Sequence, residues 1–231
     1  YGYGGFKYDG RWVDIAKKIS EKYLNESGSK FLQLNCEKGF LINDLKVLRP
    51  DVETRGTETS DYAISTCMNS VRNYITKSSP QNLPFPDNFF DFVIALGVVY
   101  THTLPGAVDV LREIDRVSKG KSFVTLASYK TEEEYFLFKD WTLLGTLLFT
   151  REEWMEIMRE ANYKGDYWFT GANFLNLKRK KMYTYRNDPM YPVANLSIAD
   201  IELSQKRAQK LRSRAFMSFV TGLFEKKSKL H

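Results

Sequence analysis

The chain has 231 residues, 43% of them hydrophobic and 15% aromatic, which is enough for one α/β domain with an appendage and too few for two full domains. No apolar run reaches about 18 residues, so nothing reads as a membrane span, and no signal-peptide pattern is visible. Two cysteines, Cys36 and Cys67, are too few for a disulfide framework, and two histidines, His102 and His231, argue against a histidine metal site; a cytoplasmic setting is the expectation.

The net charge of +6 is unevenly placed: from Lys178 onward thirteen Lys and Arg face four Asp and Glu, while residues 1–177 are mildly acidic. An electrostatic partner is therefore expected to meet the tail.

Residues 1–12, YGYGGFKYDGRW, read as an irregular aromatic arm. Val13, Ile15, Ala16, Ile19 and Tyr23 then recur at helical spacing, and Gly28 and Ser29 end that helix. Phe31–Leu34 is a short apolar strand, and Phe40–Leu48 a helix stopped by Pro50. Val52–Thr57 reads as a strand, with Ser60 capping a short helix from Asp61. The stretch SSPQNLPFPDN is a turn region. Phe90–Leu96 is the most apolar strand and belongs at the sheet centre. Val108–Val117 is a helix, Ser122–Ala127 a strand and Glu152–Ala161 a helix. Asp166–Thr170 and Phe174–Leu177 are expected to close the sheet as an antiparallel pair. Strands alternating with helices predict βαβ units: an α/β, Rossmann-like fold with a mainly parallel sheet and helices on both faces. The expected division is an arm and helix over residues 1–30, the main domain over 31–177 and a basic helical extension over 178–231. In such sheets a ligand sits beyond the carboxyl ends of the strands, where strand order reverses.

Leu83-Pro84-Phe85-Pro86-Asp87-Asn88-Phe89-Phe90-Asp91 runs into the strand Phe92-Val93-Ile94-Ala95-Leu96. Downstream come Leu111-Arg112-Glu113-Ile114-Asp115-Arg116-Val117 and the turn Lys119-Gly120-Lys121. The order and spacing of these signals, from about Phe31 to Thr170, resemble the class I S-adenosylmethionine-dependent methyltransferases. The resemblance implies S-adenosylmethionine as cofactor, with an acidic residue ending the first strand and alternate glycines after it. Those glycines let backbone approach the donor and turn sharply into a helix.

Here the acidic position is Gln33 and the glycine positions are Asn35, Glu37 and Gly39. Asn tolerates positive φ better than most residues. Glu37 puts a long anionic side chain where the donor is expected, and Gln33 removes a carboxylate that would face the donor's cationic end. Glu58 stands at the family's ribose-binding acid, and also reads as a helix-cap residue. The adenine-contacting acid has only Ser79 and Asn82 as counterparts. Losing two or three hydrogen bonds to charged groups, at about 1.5–3 kcal/mol each, weakens binding on the order of a thousandfold. Weak or absent donor binding is the expectation.

On the acceptor side, Tyr1, Tyr3, Tyr8, Arg11 and Trp12 resemble an aromatic segment that lids the pocket in some methyltransferases, Tyr3, Tyr8 and Trp12 being the substrate-contact candidates; a strap packed on the body is the other reading. Tyr100 and His102 follow the central strand, and a histidine there is a candidate general base. The stretch Trp141–Phe149 fits a roof, a dimer contact or core packing. In the tail, Ser197-Ile198-Ala199-Asp200 resembles a capping box, and Ile201, Ala208, Leu211, Ala215, Phe219 and Leu223 form an apolar stripe amid Lys and Arg. That pattern fits docking on the chain's own domain, a partner subunit or an anionic membrane surface; without a nucleic-acid motif, nucleic acid is not the expected partner.

The leading expectation is a methyltransferase-fold protein with impaired donor binding, serving as a non-catalytic partner, scaffold or ligand-binding subunit beside another copy or an intact paralogue. The alternative is an active methyltransferase on a small molecule or sugar unit, holding the donor through Glu58 and main chain around Leu83 and Ala95.

Overall fold

The computed structural model describes residues 7–142 and 144–177. Six strands form one sheet in the order β3-β2-β1-β4-β5-β6: β1 (Lys30–Leu34), β2 (Glu53–Glu58), β3 (Ile75–Lys77), β4 (Phe92–Ala95), β5 (Ser122–Ala127) and β6 (Asp166–Thr170). Every neighbouring pair is parallel. The helices are α1 (Val13–Tyr23), α2 (Phe40–Leu48), α3 (Asp61–Ser65), α4 (Leu104–Val117), α5 (Glu132–Trp141) and α6 (Arg151–Glu160). From the centre, β1 leads through α2 towards one edge, and β4 leads through α4 towards the other. Right-handed crossovers in opposite directions place α2 and α4 on opposite faces; α1 packs on α2, and α6 on α4.

The central strands are the most apolar. Phe31, Leu32, Phe92, Val93 and Ile94 are wholly buried, as strands covered on both faces require. Helix α1 sends Ile15, Ala16 and Ile19 into that same core, and its end is tied to the end of α2 by Arg49, whose Nη1 donates to Ser20 Oγ and to the Leu24 carbonyl. Helix α4 starts at Leu104, earlier than its apolar stripe, because the Thr103 hydroxyl accepts from Gly106 N. Thr150 and Glu153 form a capping box that opens α6.

The expected antiparallel pair is not formed. Strand β6 lies parallel to β5, joined to it through α6, and a crossover helix of this kind delivers a parallel neighbour. Phe174–Leu177 is no strand: the chain coils tightly here, Leu175 N donating to Gly171 O and Leu177 N to Ala172 O, with Asn176 at φ 51°. Two elements escaped the sequence reading, α5 and the edge strand β3 with its leading 3-10 turn Asn69–Tyr74. The basic helical extension lies outside the described residues. Among the described residues no helix is long and apolar enough to cross a membrane.

Candidate functional site

Strand order reverses between β1 and β4, which are hydrogen-bonded neighbours with Gln33 opposite Ile94 and Leu34 opposite Ala95. Their carboxyl ends open a crevice that a parallel sheet offers to ligands. Its lining includes Trp12, Gln33, Asn35, Glu37, Phe40 and Leu96.

The loop leaving β1 keeps the path of a glycine loop without most of its glycines. Asn35, Glu37 and Gly39 have φ of 46°, 52° and 75°, so positive φ recurs at alternate positions. The left-handed region costs an ordinary L-residue roughly 1–2 kcal/mol, so this path is imposed by its surroundings. Cys36 N donates to Thr57 O, Gly39 N to Cys36 O, and Met68 N to Lys38 O. Gly39 itself is obligatory, since a Cβ there would lie 2.6 Å from Val71 Cγ2. Gly56 on β2 makes room for the loop: a Cβ would sit 2.6 Å from Cys36 Sγ and 2.4 Å from Ile42 Cδ1. Burial pushes the Cys36 thiol well above its ordinary pKa.

Glu58 is buried at the end of β2 and fastens this loop. Its Oε2 accepts from Glu37 N at 2.7 Å, and its Oε1 accepts from Thr59 N and Ser60 N at 2.8 and 2.9 Å. The cap of α3 is Ser60, which accepts from Ala63 N. Beside this well-bonded carboxylate stand polar atoms without hydrogen-bond partners: Gln33 Oε1, Asn35 Oδ1 and Thr57 Oγ1, all buried. Buried polar groups are nearly always paired, and exceptions cluster where ligands or water bind.

The crevice is nevertheless narrow. Its cavity volume is about 20 Å³, against about 300–1,000 Å³ for small-molecule sites. Trp12, only 4% exposed, stands in its wall. Tyr8 lies outside the wall, edge-on to Phe40 with ring centroids 5.7 Å apart, and its hydroxyl donates to Asp44 Oδ1 at 2.5 Å. That bond to a carboxylate raises the Tyr8 pKa above its ordinary value. Asp44 is buried on α2, and its Oδ2 has no partner. The sequence reading missed it; a charged residue amid FLINDLKVL was the available signal. Tyr3 lies outside the described residues. A larger hollow of about 380 Å³, lined by Asp115, Arg116 and Lys164, lies at the amino ends of β4, β5 and β6, away from the crevice.

The acceptor-side candidates divide. Tyr100 is buried, its ring edge-on to Phe138, and its carbonyl accepts from Thr146 N and Leu147 N. His102 follows the short 3-10 turn Val99–Thr101; its Nε2 is buried without a partner, and burial lowers its pKa. Thr146 Oγ1 donates to the His102 carbonyl, so the segment after α5 is tied to this loop. Trp154 seals the end of β5 by donating from Nε1 to Ala127 O at 2.6 Å. Ser79 and Asn82 are exposed and sit in a turn, Asn82 N donating to Ser79 O, and Ser78 N beside them donates to Glu58 O. Leu83 N and O are both taken, by Glu113 Oε2 and Arg116 Nη2. Ala95 is fully buried at the end of β4. The nearby main chain is held by a residue the sequence reading missed: Gly97 N donates to Thr125 Oγ1 at 2.7 Å. No group of three or more metal-ligating side chains occurs among the described residues.

A family profile described as a methyltransferase domain matches residues 32–126, from β1 to β5. No curated protein matches the chain. Among solved structures, the YcgJ protein of Bacillus subtilis is similar over 66% of this chain and 68% of its own, at 15% identity and a TM-score of 0.53. The BH2331 protein of Bacillus halodurans is similar over 63% and 67%, at 13% identity and a TM-score of 0.50. The [4+2]-cyclase SpnF is similar over 64% and 57%, at 19% identity and a TM-score of 0.50. At such identities the structural likeness speaks to the fold, and the matched domain spans the crevice and both strands that build it. Residues 32–126 thus match a methyltransferase domain, and the sheet around them has the Rossmann-like methyltransferase fold.

Proposed function

We propose that this chain is a methyltransferase-fold protein with weakened or lost S-adenosylmethionine binding, working as a non-catalytic subunit, scaffold or ligand-binding module beside another copy or an intact paralogue. One observation carries the reading: at the strand-order switch the cavity is about 20 Å³ and is walled by Trp12, Glu37 and Phe40. The residues present do not fit the donor in this arrangement. Glu58, the acid expected at the ribose, has both oxygens turned to main-chain N–H groups. Gln33 carries no charge to face the donor's cationic end. A fold by itself does not fix a chemistry.

A second reading, an active methyltransferase on a small molecule or sugar unit, draws on one specific observation, the positive φ at Asn35, Glu37 and Gly39. The loop keeps the path that brings backbone close to a donor. In that reading His102, whose pKa burial lowers, is the base candidate, with Tyr100 buried nearby in the chain. Calorimetric titration of the native chain with S-adenosylmethionine decides between the two. The first reading expects no saturation below about millimolar donor; micromolar binding, about 8 kcal/mol, overturns it.

A further inference from the structure

The arm and the crevice meet through three described features. Tyr8 OH donates to Asp44 Oδ1 on α2 at 2.5 Å, and Asn43 Nδ2 steadies the same oxygen at 3.1 Å. Asp44 is only 4% exposed and its Oδ2 is unpartnered, so this buried carboxylate relies on Tyr8 for a second strong donor. Between Tyr8 and Trp12 the chain turns at Gly10, φ 73°, where Val13 N donates to Gly10 O. Trp12 is the N-cap residue of α1 without a side-chain capping bond, and it walls the crevice that holds the unpartnered Gln33 and Asn35 carbonyls. Helix ends fray, and a terminus held from outside frays less.

We propose that residues 8–12 form an autoinhibitory strap: Tyr8 latched on Asp44 holds the start of α1 in place, and Trp12 keeps the crevice closed until the latch releases. This rests on the reading that the crevice is the ligand site. Tyr8 is 43% exposed, so the latch sits at the surface, where a partner or ligand can displace it. Apparent affinity for any crevice ligand is then set by the fraction of molecules with the strap open.

Cys36 lines the crevice and is 3% exposed, with Sγ turned towards Gly56 under the loop, so its alkylation reports opening of the crevice and its loop together, independently of donor affinity. The test is the alkylation rate of Cys36 by iodoacetamide in a Cys67→Ala background, measured beside the melting temperature. Tyr8→Phe is expected to accelerate labelling about three- to tenfold, more than the fall in melting temperature from the lost donor to Asp44 accounts for. Trp12→Ala is expected to accelerate it further. Equal rates in Tyr8→Phe and the parent, or acceleration that merely tracks a fall in melting temperature, overturn the strap. Donor titration reports separately on the Gln33–Gly39 loop, so a native chain that binds S-adenosylmethionine tightly sinks the functional reading without touching the labelling result.

Discussion

Two loops at opposite ends of the sheet treat their polar groups in opposite ways. Around Arg116, near the amino ends of β4 and β5, the guanidinium donates to Glu113, Asp87, Phe85 O and Leu83 O, and Glu113 also accepts from Leu83 N. All the LPFPDN segment's turns are thereby fixed to α4. At the carboxyl end, the Gln33–Gly39 loop holds two non-glycine residues at positive φ and leaves buried carbonyls unpaired. Positive φ occurs in the first loop too, at Asn88, so the contrast lies in Glu37, a residue ill suited to that conformation, and in the unpaired Gln33 and Asn35 carbonyls.

Substitutions sharpen the contrast, and the largest effect belongs to the satisfied loop. Arg116→Ala leaves Glu113 with one donor and two carbonyls unpaired, and should destabilise the fold by about 3 kcal/mol in urea unfolding. Arg116 holds the Glu113 pKa below the usual carboxylate range. Its stabilisation is therefore whole above the ordinary value of about 4.3 and is lost as pH falls through the lower folded value. Stability of the Arg116→Ala chain should fall less steeply in that acid window. Glu58→Gln turns an amide NH2 towards main-chain N–H groups and should cost about 2 kcal/mol, a loss that a residue serving only a ligand would not show. Glu37→Gly should have the smallest effect and the opposite sign. It relieves left-handed strain at some cost in unfolded-chain entropy, for a net gain of about 0.5 kcal/mol; a loss above about 1 kcal/mol would show that the Glu37 side chain, not strain, dominates there.

Much of this contrast is readable before folding. Helix Phe40–Leu48 and strand Ser122–Ala127 fall where the sequence places them, because apolar runs bounded by glycine or proline admit one assignment. The departures at Gln33, Asn35 and Glu37 are visible as a broken glycine pattern. The preserved backbone path is not, since it depends on Gly56 clearing space and Glu58 reaching across from β2. Local pattern likewise cannot reveal that β6 joins in parallel, which follows from the α6 crossover, nor that Asp44 meets Tyr8 from 36 positions away. Strand β3 is three residues of ITK at an edge, too short to show a period.

The most direct measurement is a paired calorimetric titration with S-adenosylmethionine, of the native chain and of an Asn35→Gly, Glu37→Gly double substitution. Weakened donor binding predicts no saturable binding below about millimolar for the native chain and at least about tenfold tighter binding once the glycines are restored, a change of about 1.4 kcal/mol or more. Micromolar binding by the native chain would contradict it.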